Sequence, residues 1–488
     1  MFRFIHPSRW PRRWPLWIAL GFILRLYFIW DPRTIDDDTW DYLNLGRNLL
    51  HHWVYGLGSG DDLNPSLFRL PAYPIVLAVF HQLFGNLPHG GWFVALYLFQ
   101  SVIDLVGCLL LAVFAYRCIS PRAGEIALAL AVLCPFPAAE AGTAMTECLS
   151  IFAVSLGIYA AGRILSADAA GQNDTPAVFL AGCASALAML LRPDGALLSI
   201  ALATGLFFYI LRDRVGQGAR LALRRSLTIT SIYCMVALAP IAVWTLRNWV
   251  TFRVFQPLAP RYLGDPGDRA NVGVYRWIRT WSVEYTSTAV VFWQVGVGPI
   301  DPTDLPARAF DSPAERAQTL ALLDEYNHTI SISADLDHRF GALAAQRIHA
   351  YPFRYYVTLP LARIADMMFR PRTEEFEIEV FWWPPADHPA QTVSAILLGL
   401  LNLFYVAAAV WAFLRRRVPW PWMLGGYIVL RCLLLGTMEN SEPRYSLECF
   451  PIFIVAAAAV LSGSKFATLQ TRVAPPQRVA PPQPVAPS

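Results

Sequence analysis

Long apolar stretches with few charges recur along the chain, and they limit what it can fold into. About ten of them approach the roughly 20 residues that a helix needs to cross a bilayer. Hydrophobic residues make up 56% of the chain and charged residues 15%, a balance too apolar for soluble domains. We therefore predict an α-helical polytopic membrane protein. Its transmembrane helices are expected at 14–30, 92–116, 123–139, 146–165, 176–191, 195–211, 227–246, 392–414, 419–437 and 446–461.

Arginines flank these stretches in a pattern that fixes their orientation. Four of them precede the first stretch: Arg3, Arg9, Arg12 and Arg13. Because cationic segments resist translocation, the N-terminus is predicted to be cytoplasmic. Alternation then places the later basic segments, at 117–122, 212–225 and 415–417, and the C-terminal tail on the same side.

This topology leaves two large segments outside. We predict an N-terminal transmembrane module at 1–247, with a catalytic exterior loop at 31–91 that contains interfacial helices. A larger exterior segment of uncertain fold follows at 248–391, and its apolar stretches at 289–297 and 351–369 are interfacial or re-entrant candidates. Transmembrane helices at 392–463 and a disordered, Pro-rich cytoplasmic tail at 464–488 complete the chain.

Charge and cysteine content exclude several classes of site. The net charge of +4 is explained by the topology, and no basic and aromatic pattern indicates nucleic-acid binding. The eight cysteines all fall in or beside apolar stretches. Neither a disulfide framework nor a CxxC metal site is therefore predicted.

Residues 35–50, IDDDTWDYLNLGRNLL, are the most informative stretch for function. Asp38 can cap a helix with an apolar face (Tyr42, Leu45 and Leu49) and a more polar one (Asp41, Asn44 and Asn48). That pattern predicts an interfacial helix with carboxylates at its start. Acids at a lipid boundary suit a catalytic base or a cation site, but Asp36, Asp37 and Asp38 can equally be helix caps.

This stretch, followed by RLPAYP at residues 69–74, resembles the first exterior loop of the polytopic C-type glycosyltransferases. The most similar group is the broad family with bacterial protein O-mannosyltransferase-like enzymes and the aminoarabinose transferase of lipid A. In that family an Asp four residues before a Tyr opens the first interfacial helix, which corresponds to Asp38 and Tyr42. The family's Asp is usually followed by an acid, whereas this chain has Thr39, so Asp37 remains a rival.

Further matches extend the resemblance over nearly the whole chain, and the predicted topology places all of them at the exterior face. They are Thr146-Glu147, Arg192-Pro193-Asp194, Arg247-Asn248 and Glu442-Pro443-Arg444-Tyr445. Each also has a purely structural interpretation. Arg192 and Arg444 can anchor helix ends at the interface, and Glu147 can cap a helix.

The resemblance implies a cell-envelope hexosyl- or pentosyltransferase in the bacterial inner membrane. It would move a sugar from polyprenyl phosphate to a lipid, glycan or protein hydroxyl on the exterior face, usually with inversion. Asp38, or else Asp37, would be the base. Substrate-binding roles fall on Tyr42, Arg69, Tyr73, Glu147, Arg192, Arg444 and Tyr445, with phosphate binding assigned first to Arg69, then to Arg192 and Arg444.

Two questions stay open at this level. A divalent metal could share the charge on the phosphate, but the sequence offers no distinctive ligand set, so no cofactor is assigned. A transporter or flippase of a lipid-linked sugar is the alternative function, although the inverted repeats typical of transporters are not evident. A third hypothesis is a catalytically inactive homologue that serves assembly.

The topology can be tested with reporter fusions. We expect a reporter fused after Ser462 to be active only in the cytoplasm, because the basic segments agree on one orientation. A reporter placed within 248–391 should be active only outside. Exterior activity of the fusion at Ser462 would contradict the topology and show that one exterior apolar stretch crosses the membrane.

Overall fold

A computed structural model describes residues 11–31, 35, 37–262, 264–383 and 385–463. Asp36 and the predicted tail at 464–488 lie outside the described residues, as does the side chain of Asp37. Within the described ranges the fold is helical, and its strands are one short antiparallel pair, β1 (Gly56–Leu57) and β2 (Asn64–Pro65). The predicted class, an α-helical polytopic membrane protein, is confirmed.

Each predicted transmembrane stretch coincides with a helix or a broken helix. These helices are α1 (Trp14–Trp30), α4 (Gly91–Cys118), α5 (Pro121–Leu133) with α6 (Pro135–Glu140), α7 (Glu147–Ala169), α8 (Thr175–Leu191), α9 (Ala196–Arg214), α10 (Ala219–Phe252), α16 (Pro389–Leu414), α17 (Pro421–Gly436) and α18 (Phe450–Leu461). The stretch predicted at 123–139 is interrupted at Cys134, because a residue before proline is driven out of the helical region.

Length and composition separate these helices into two groups. In the described part of the chain, six helical segments are long and apolar enough to cross a bilayer: Pro88–Cys118, Glu147–Ala169, Pro193–Arg214, Ala219–Phe252, Pro389–Leu414 and Pro443–Leu461. Shorter apolar helices are Trp14–Trp30, Ala72–Phe84, Thr175–Leu191 and Pro421–Gly436. The count of about ten transmembrane helices therefore stays a prediction.

The membrane core contains a buried ion pair between α1 and α4. Arg25 Nε donates to Asp104 Oδ2 at 2.8 Å, and Arg25 Nη1 donates to the carbonyl oxygen of Val132 on α5 at 2.6 Å. Both side chains are almost fully buried. The charges therefore join three helices, α1, α4 and α5.

The segment predicted as the first exterior loop folds into α2 (Asp37–His52), the β1–β2 pair and α3 (Ala72–Phe84). α2 and α3 meet at Gly46, where an added Cβ would collide with the carbonyl oxygen of Pro74. Arg247 of α10 holds the connection between them, since its Nη2 donates to Tyr55 O at 2.5 Å and its Nη1 to Ser66 O at 2.8 Å. The loop is therefore fixed to the seventh predicted span.

The second exterior segment has a helical core of its own. It contains α11 (Val272–Arg279), α12 (Tyr285–Ser287), α13 (Pro313–Thr329), α14 (Ala334–Ala350), α15 (Leu359–Phe369) and π-helical turns at Thr288–Phe292 and Arg354–Thr358. Trp277, Trp281 and Phe340 lie at its centre. α15 packs on α17, and the buried Arg363 donates to the carbonyl oxygens of Ser282 and Gly436.

The Arg25–Asp104 pair yields a stability prediction. Asp104→Asn leaves Arg25 buried without its counter-charge, so the free energy of unfolding should fall by about 3–5 kcal/mol. The double variant Arg25→Met/Asp104→Leu removes both charges and should recover most of that loss. Thermal unfolding in detergent micelles measures both effects, and a double variant no more stable than Asp104→Asn would show that the pair is not the cause.

Candidate functional site

A cavity of about 140 Å³ lies where the first exterior loop meets the ends of several membrane helices. Its lining comes from segments far apart in the sequence, and it includes most of the residues predicted for substrate binding and catalysis. These are Asp38, Tyr42, Arg69, Glu147, Arg192, Arg444 and Tyr445. The fold therefore brings the separate sequence motifs to one place.

The first turns of α2 carry Asp38 and Tyr42 to this cavity. The helix begins at Asp37, so Asp38 lies in its first turn and is not the helix cap that the sequence suggested. Thr39 is buried and donates from its hydroxyl to the carbonyl oxygen of Ala144 at 3.0 Å. This bond fixes α2 to the segment just before Glu147. Thr39, which stands where the similar family usually has an acid, therefore has a structural role.

Tyr73, predicted to bind substrate, lies behind the cavity instead of lining it. Its ring contacts Tyr42 edge-on at 5.5 Å between centroids, and its hydroxyl donates to Gln100 Oε1 at 2.9 Å. Asn48, expected on the polar face of α2, is also buried, because its amide donates to the carbonyl oxygens of Gly56 and Gly58. Both side chains position the loop.

Arg69 lines the cavity and contacts both an acid and aromatic rings. It forms an ion pair with Asp38, and its guanidinium stacks over Phe68 at 4.4 Å and Tyr42 at 5.3 Å from the ring centroids. Its Nε–H is buried and has no hydrogen-bond partner among the described residues. Burial lowers the pKa of Arg69, but the neighbouring Tyr42 and Asp38 raise it by more, so the pKa lies above its ordinary value and Arg69 stays cationic.

Arg192 and Arg444 converge on Glu147 at the opposite wall. Arg192 Nη1 donates to Glu147 Oε1 at 2.6 Å, and its Nε donates to Asp194 Oδ1 at 3.2 Å. Arg444 Nε donates to Glu442 Oε2 at 2.5 Å and lies 4.0 Å from Glu147 Oε1. Glu147 is fully buried, so its charge is balanced by these arginines and does not face bulk water.

A deeper ionic layer supports this wall, and sequence reasoning missed it. Arg431 of α17 donates to Asp194 Oδ2 at 2.9 Å, to the carbonyl oxygen of Tyr445, and to Glu448. Arg431 interrupts an apolar stretch, and an intramembrane arginine with a buried partner is a signal that could have identified it. The cavity's apolar lining, including Phe68, Met145 and Pro260, carried no comparable signal.

The described acids do not form a metal site. Among the residues whose side chains the structure describes, no group of three or more His, Cys, Asp or Glu side chains is arranged to hold a metal ion. Asp38 and Glu147, the cavity's carboxylates, both contact arginines instead. These residues do not fit a divalent metal.

Two further acids lie beyond Arg444, around Arg370 and Tyr285. Burial raises the pKa of Asp366 to about 6, although Arg370, 3.6 Å away, opposes the shift. Burial also raises the pKa of Glu374 to about 6. Both carboxylate oxygens of Glu374 are shielded and lack a hydrogen-bond partner within the described ranges. This edge of the site therefore gains negative charge as the pH rises through 6.

Comparison with known proteins was made by sequence and by structure. Neither a family model nor a curated protein sequence matches the chain. The fold is similar to the oligosaccharyltransferase AglB from Archaeoglobus fulgidus, solved with an inhibitory peptide and a dolichol-phosphate, with 14% identity and a TM-score of 0.49 over 94% of this chain and 50% of that one. This chain therefore spans about half the length of AglB.

A second similar structure is ArnT from Cupriavidus metallidurans bound to undecaprenyl phosphate. The identity is 14% and the TM-score 0.37, over 91% of this chain and 77% of that one.

The raised pKa of Asp366 gives a pH-dependent prediction. Its folded pKa of about 6 exceeds the ordinary Asp value, so its contribution to stability is present at low pH and is lost as the pH rises through 6. Asp366→Asn mimics the protonated acid and should raise the thermal stability at pH 7, by about 2 kcal/mol, with little change at pH 4. The exposed Asp304→Asn is the matched control. Equal destabilisation by Asp366→Asn at both pH values would instead show that its ion pair with Arg370 dominates.

Proposed function

We propose that this protein is a membrane glycosyltransferase that moves a sugar from a polyprenyl-phosphate donor to an acceptor hydroxyl, with inversion at the anomeric carbon. The observation that carries the proposal is the juxtaposition of Asp38 with Arg69 in one cavity. A carboxylate that can take a proton thus lies beside a guanidinium that retains an unused N–H donor. The sequence resemblance independently assigns these two residues to such chemistry.

The arginines of the cavity suit a phosphate-linked donor. Three of them line it, and Arg69 pairs there with Asp38. Arg192 and Arg444 also pair with Asp194 and Glu442, which lie outside the lining. Arginine binds phosphate oxygens through directed, charge-assisted hydrogen bonds, which hold the donor in one orientation.

Hydrogen bonding ranks the arginines for this role. Arg192 already donates to Glu147, Asp194 and the hydroxyl of Thr146, so its donors are largely committed. Arg69 keeps an unused donor, and Arg444 lines the cavity opposite it. We therefore assign the phosphate first to Arg69 and then to Arg444, with Arg192 and Glu147 as positioning residues.

The reaction follows from these positions. Asp38 accepts the proton of the acceptor hydroxyl, and the resulting oxygen nucleophile attacks the anomeric carbon from the face opposite the phosphate. The bond between that carbon and the phosphate oxygen breaks, and its electron pair stays on the oxygen. The lipid phosphate then carries a second negative charge, which the Arg69 guanidinium stabilises.

The location of the cavity supports chemistry on the exterior side. α7 begins at Glu147 in the cavity wall, and near its other end Asp168 accepts hydrogen bonds from Arg214 and Arg225. Those arginines belong to a basic segment that the positive-inside rule places in the cytoplasm. The cavity would then face outward in the bacterial inner membrane, where lipid, glycan or protein hydroxyls can serve as acceptors.

The central prediction concerns Asp38. Asp38→Asn keeps the shape of the side chain but removes the base, so single-turnover transfer from a defined polyprenyl-phosphate sugar should fall by about 10²- to 10⁴-fold while donor binding persists. Asp37→Asn is the matched control, and Asp36→Asn should be milder than Asp38→Asn. If Asp38→Asn keeps near wild-type transfer and Asp37→Asn loses it, the base is Asp37 and not Asp38.

Arg69 provides a second test of the same site. Arg69→Gln removes the charge that would hold the donor phosphate, so donor affinity should fall by about tenfold or more. Arg47→Gln, on the exposed face of α2, is the matched control and should bind the donor normally.

If Asp38→Asn and Asp37→Asn both stay active, the hypothesis that these acids are catalytic fails. Donor movement across the membrane without transfer would instead support a flippase.

A further inference from the structure

A second and much larger cavity, of about 1,310 Å³, lies between membrane helices on another side of the molecule. Pockets for drug-sized ligands typically measure about 300–1,000 Å³, so this one can hold something larger. Its walls come chiefly from α9, α15, α16 and α17. In the described part of the chain it shares no lining residue with the cavity that contains Asp38. It is therefore a separate candidate site.

The cavity is apolar along its length and charged at one end. Ile364 and Met368 of α15 line it on the exterior side of the molecule, and Val406, Val410 and Val429 line its middle. At the other end the lining contains Arg212, Arg214 and Arg416 with Asp168 and Asp213. The elongated apolar volume with a polar head region corresponds to the shape and polarity of a membrane lipid.

Ion pairing at the charged end leaves a cation in excess. Asp168 accepts from Arg214 Nε at 2.9 Å and from Arg225 Nε at 3.1 Å, so its charge is fully balanced. Arg212 and Asp213 are separated by 3.9 Å at an exposed position. The side chain of Arg416 has no charged or hydrogen-bonded partner in the part of the chain that the structure describes. Its guanidinium is exposed at the mouth of an apolar cavity.

Aromatic side chains mark the same end as a membrane boundary. Trp420 and Trp422 line the cavity beside Arg416, and the ring of Trp422 is 82% exposed. Tryptophan concentrates at the level of lipid headgroups, because its ring is apolar and its N–H is polar. Arg416 therefore lies at the depth where a lipid phosphate would be.

We propose that this cavity binds one anionic phospholipid from the leaflet that faces the basic segments, with its headgroup at Arg416 and Arg212 and its acyl chains between α16 and α17. Basic pockets between membrane helices recognise anionic headgroups in this way. The excess cation favours an anionic lipid over a zwitterionic one. The Asp38 cavity is separate, which argues against the polyprenyl-phosphate donor as the occupant.

Lipid retention by the purified full-length protein tests the proposal. The protein in mild detergent is titrated with phosphatidylglycerol or phosphatidylcholine, and bound lipids are counted by native mass spectrometry. We expect one phosphatidylglycerol to be retained in preference to phosphatidylcholine. Arg416→Gln should weaken that retention by about fivefold, the effect of one charge near an anionic headgroup. Arg122→Gln, in another basic segment and outside the cavity, should have no effect.

A second variant tests the cavity itself. An added Cβ at Gly426 meets no atom within 4 Å, so Gly426→Leu can project into the cavity without a backbone collision. It should weaken retention of the lipid, whereas Ala239→Leu on the exposed face of α10 should not. Equal retention of both phospholipids, or unchanged retention by Gly426→Leu, would overturn the proposal.

Competition separates this site from the proposed enzymatic one. Polyprenyl phosphate that displaces phosphatidylglycerol in the wild type and in Arg69→Gln alike would assign the large cavity to the donor and overturn the proposal. Continued phosphatidylglycerol retention in its presence would support it. Because the readout is binding, loss of sugar transfer does not affect the result.

Discussion

The structure depends on the pairing of the buried charges behind the cavity. Arg192 stands at the centre of this arrangement, since it contacts Glu147 at the start of α7 and Asp194 just before α9. Arg431 extends the network to α17 and Glu448. An unpaired buried charge costs several kcal/mol, so each member requires the others. Helix ends that are remote in the sequence are thereby fixed around a single polar cavity.

This network also explains why two arginines of the cavity, Arg69 and Arg192, have different partners. Arg69 and Arg192 each flank the cavity, yet Arg192 is saturated by acids and Arg69 retains an unused donor. Stacking on Phe68 and Tyr42 holds the Arg69 guanidinium without using its N–H groups. Aromatic support therefore leaves Arg69 available to an anionic ligand, while ionic support makes Arg192 part of the scaffold.

Sequence reasoning identified most of the helices because burial in lipid demands long apolar runs. The first span, predicted at 14–30, matches α1 to the residue. α3 was not predicted, since its 13 residues are too few to cross a bilayer and its role is to support α2. The helix break at Cys134 was missed, although Pro135 predicts it. Hydropathy is averaged over a window of residues and does not register the effect of a single proline.

The residues of the site could be predicted from the sequence, but the contacts between them could not. Motif resemblance named Asp38, Arg69, Glu147, Arg192 and Arg444, which line one cavity, yet spacing alone could not reveal the pairs that they form. Tyr73 belongs to the same motif as Arg69 and turns away from the cavity, toward Gln100. Which side of a short loop faces a ligand depends on packing partners elsewhere in the chain.

The close approach of Gly46 to Pro74 fixes the position of α2 relative to α3. With no side chain at position 46, the helix seats directly on the backbone of α3, and its neighbours on either side cannot take that place. A slip of one helical turn would displace Asp38 by about 5.4 Å along the helix axis, beyond contact with Arg69. Gly46 thus sets the position of Asp38 relative to Arg69.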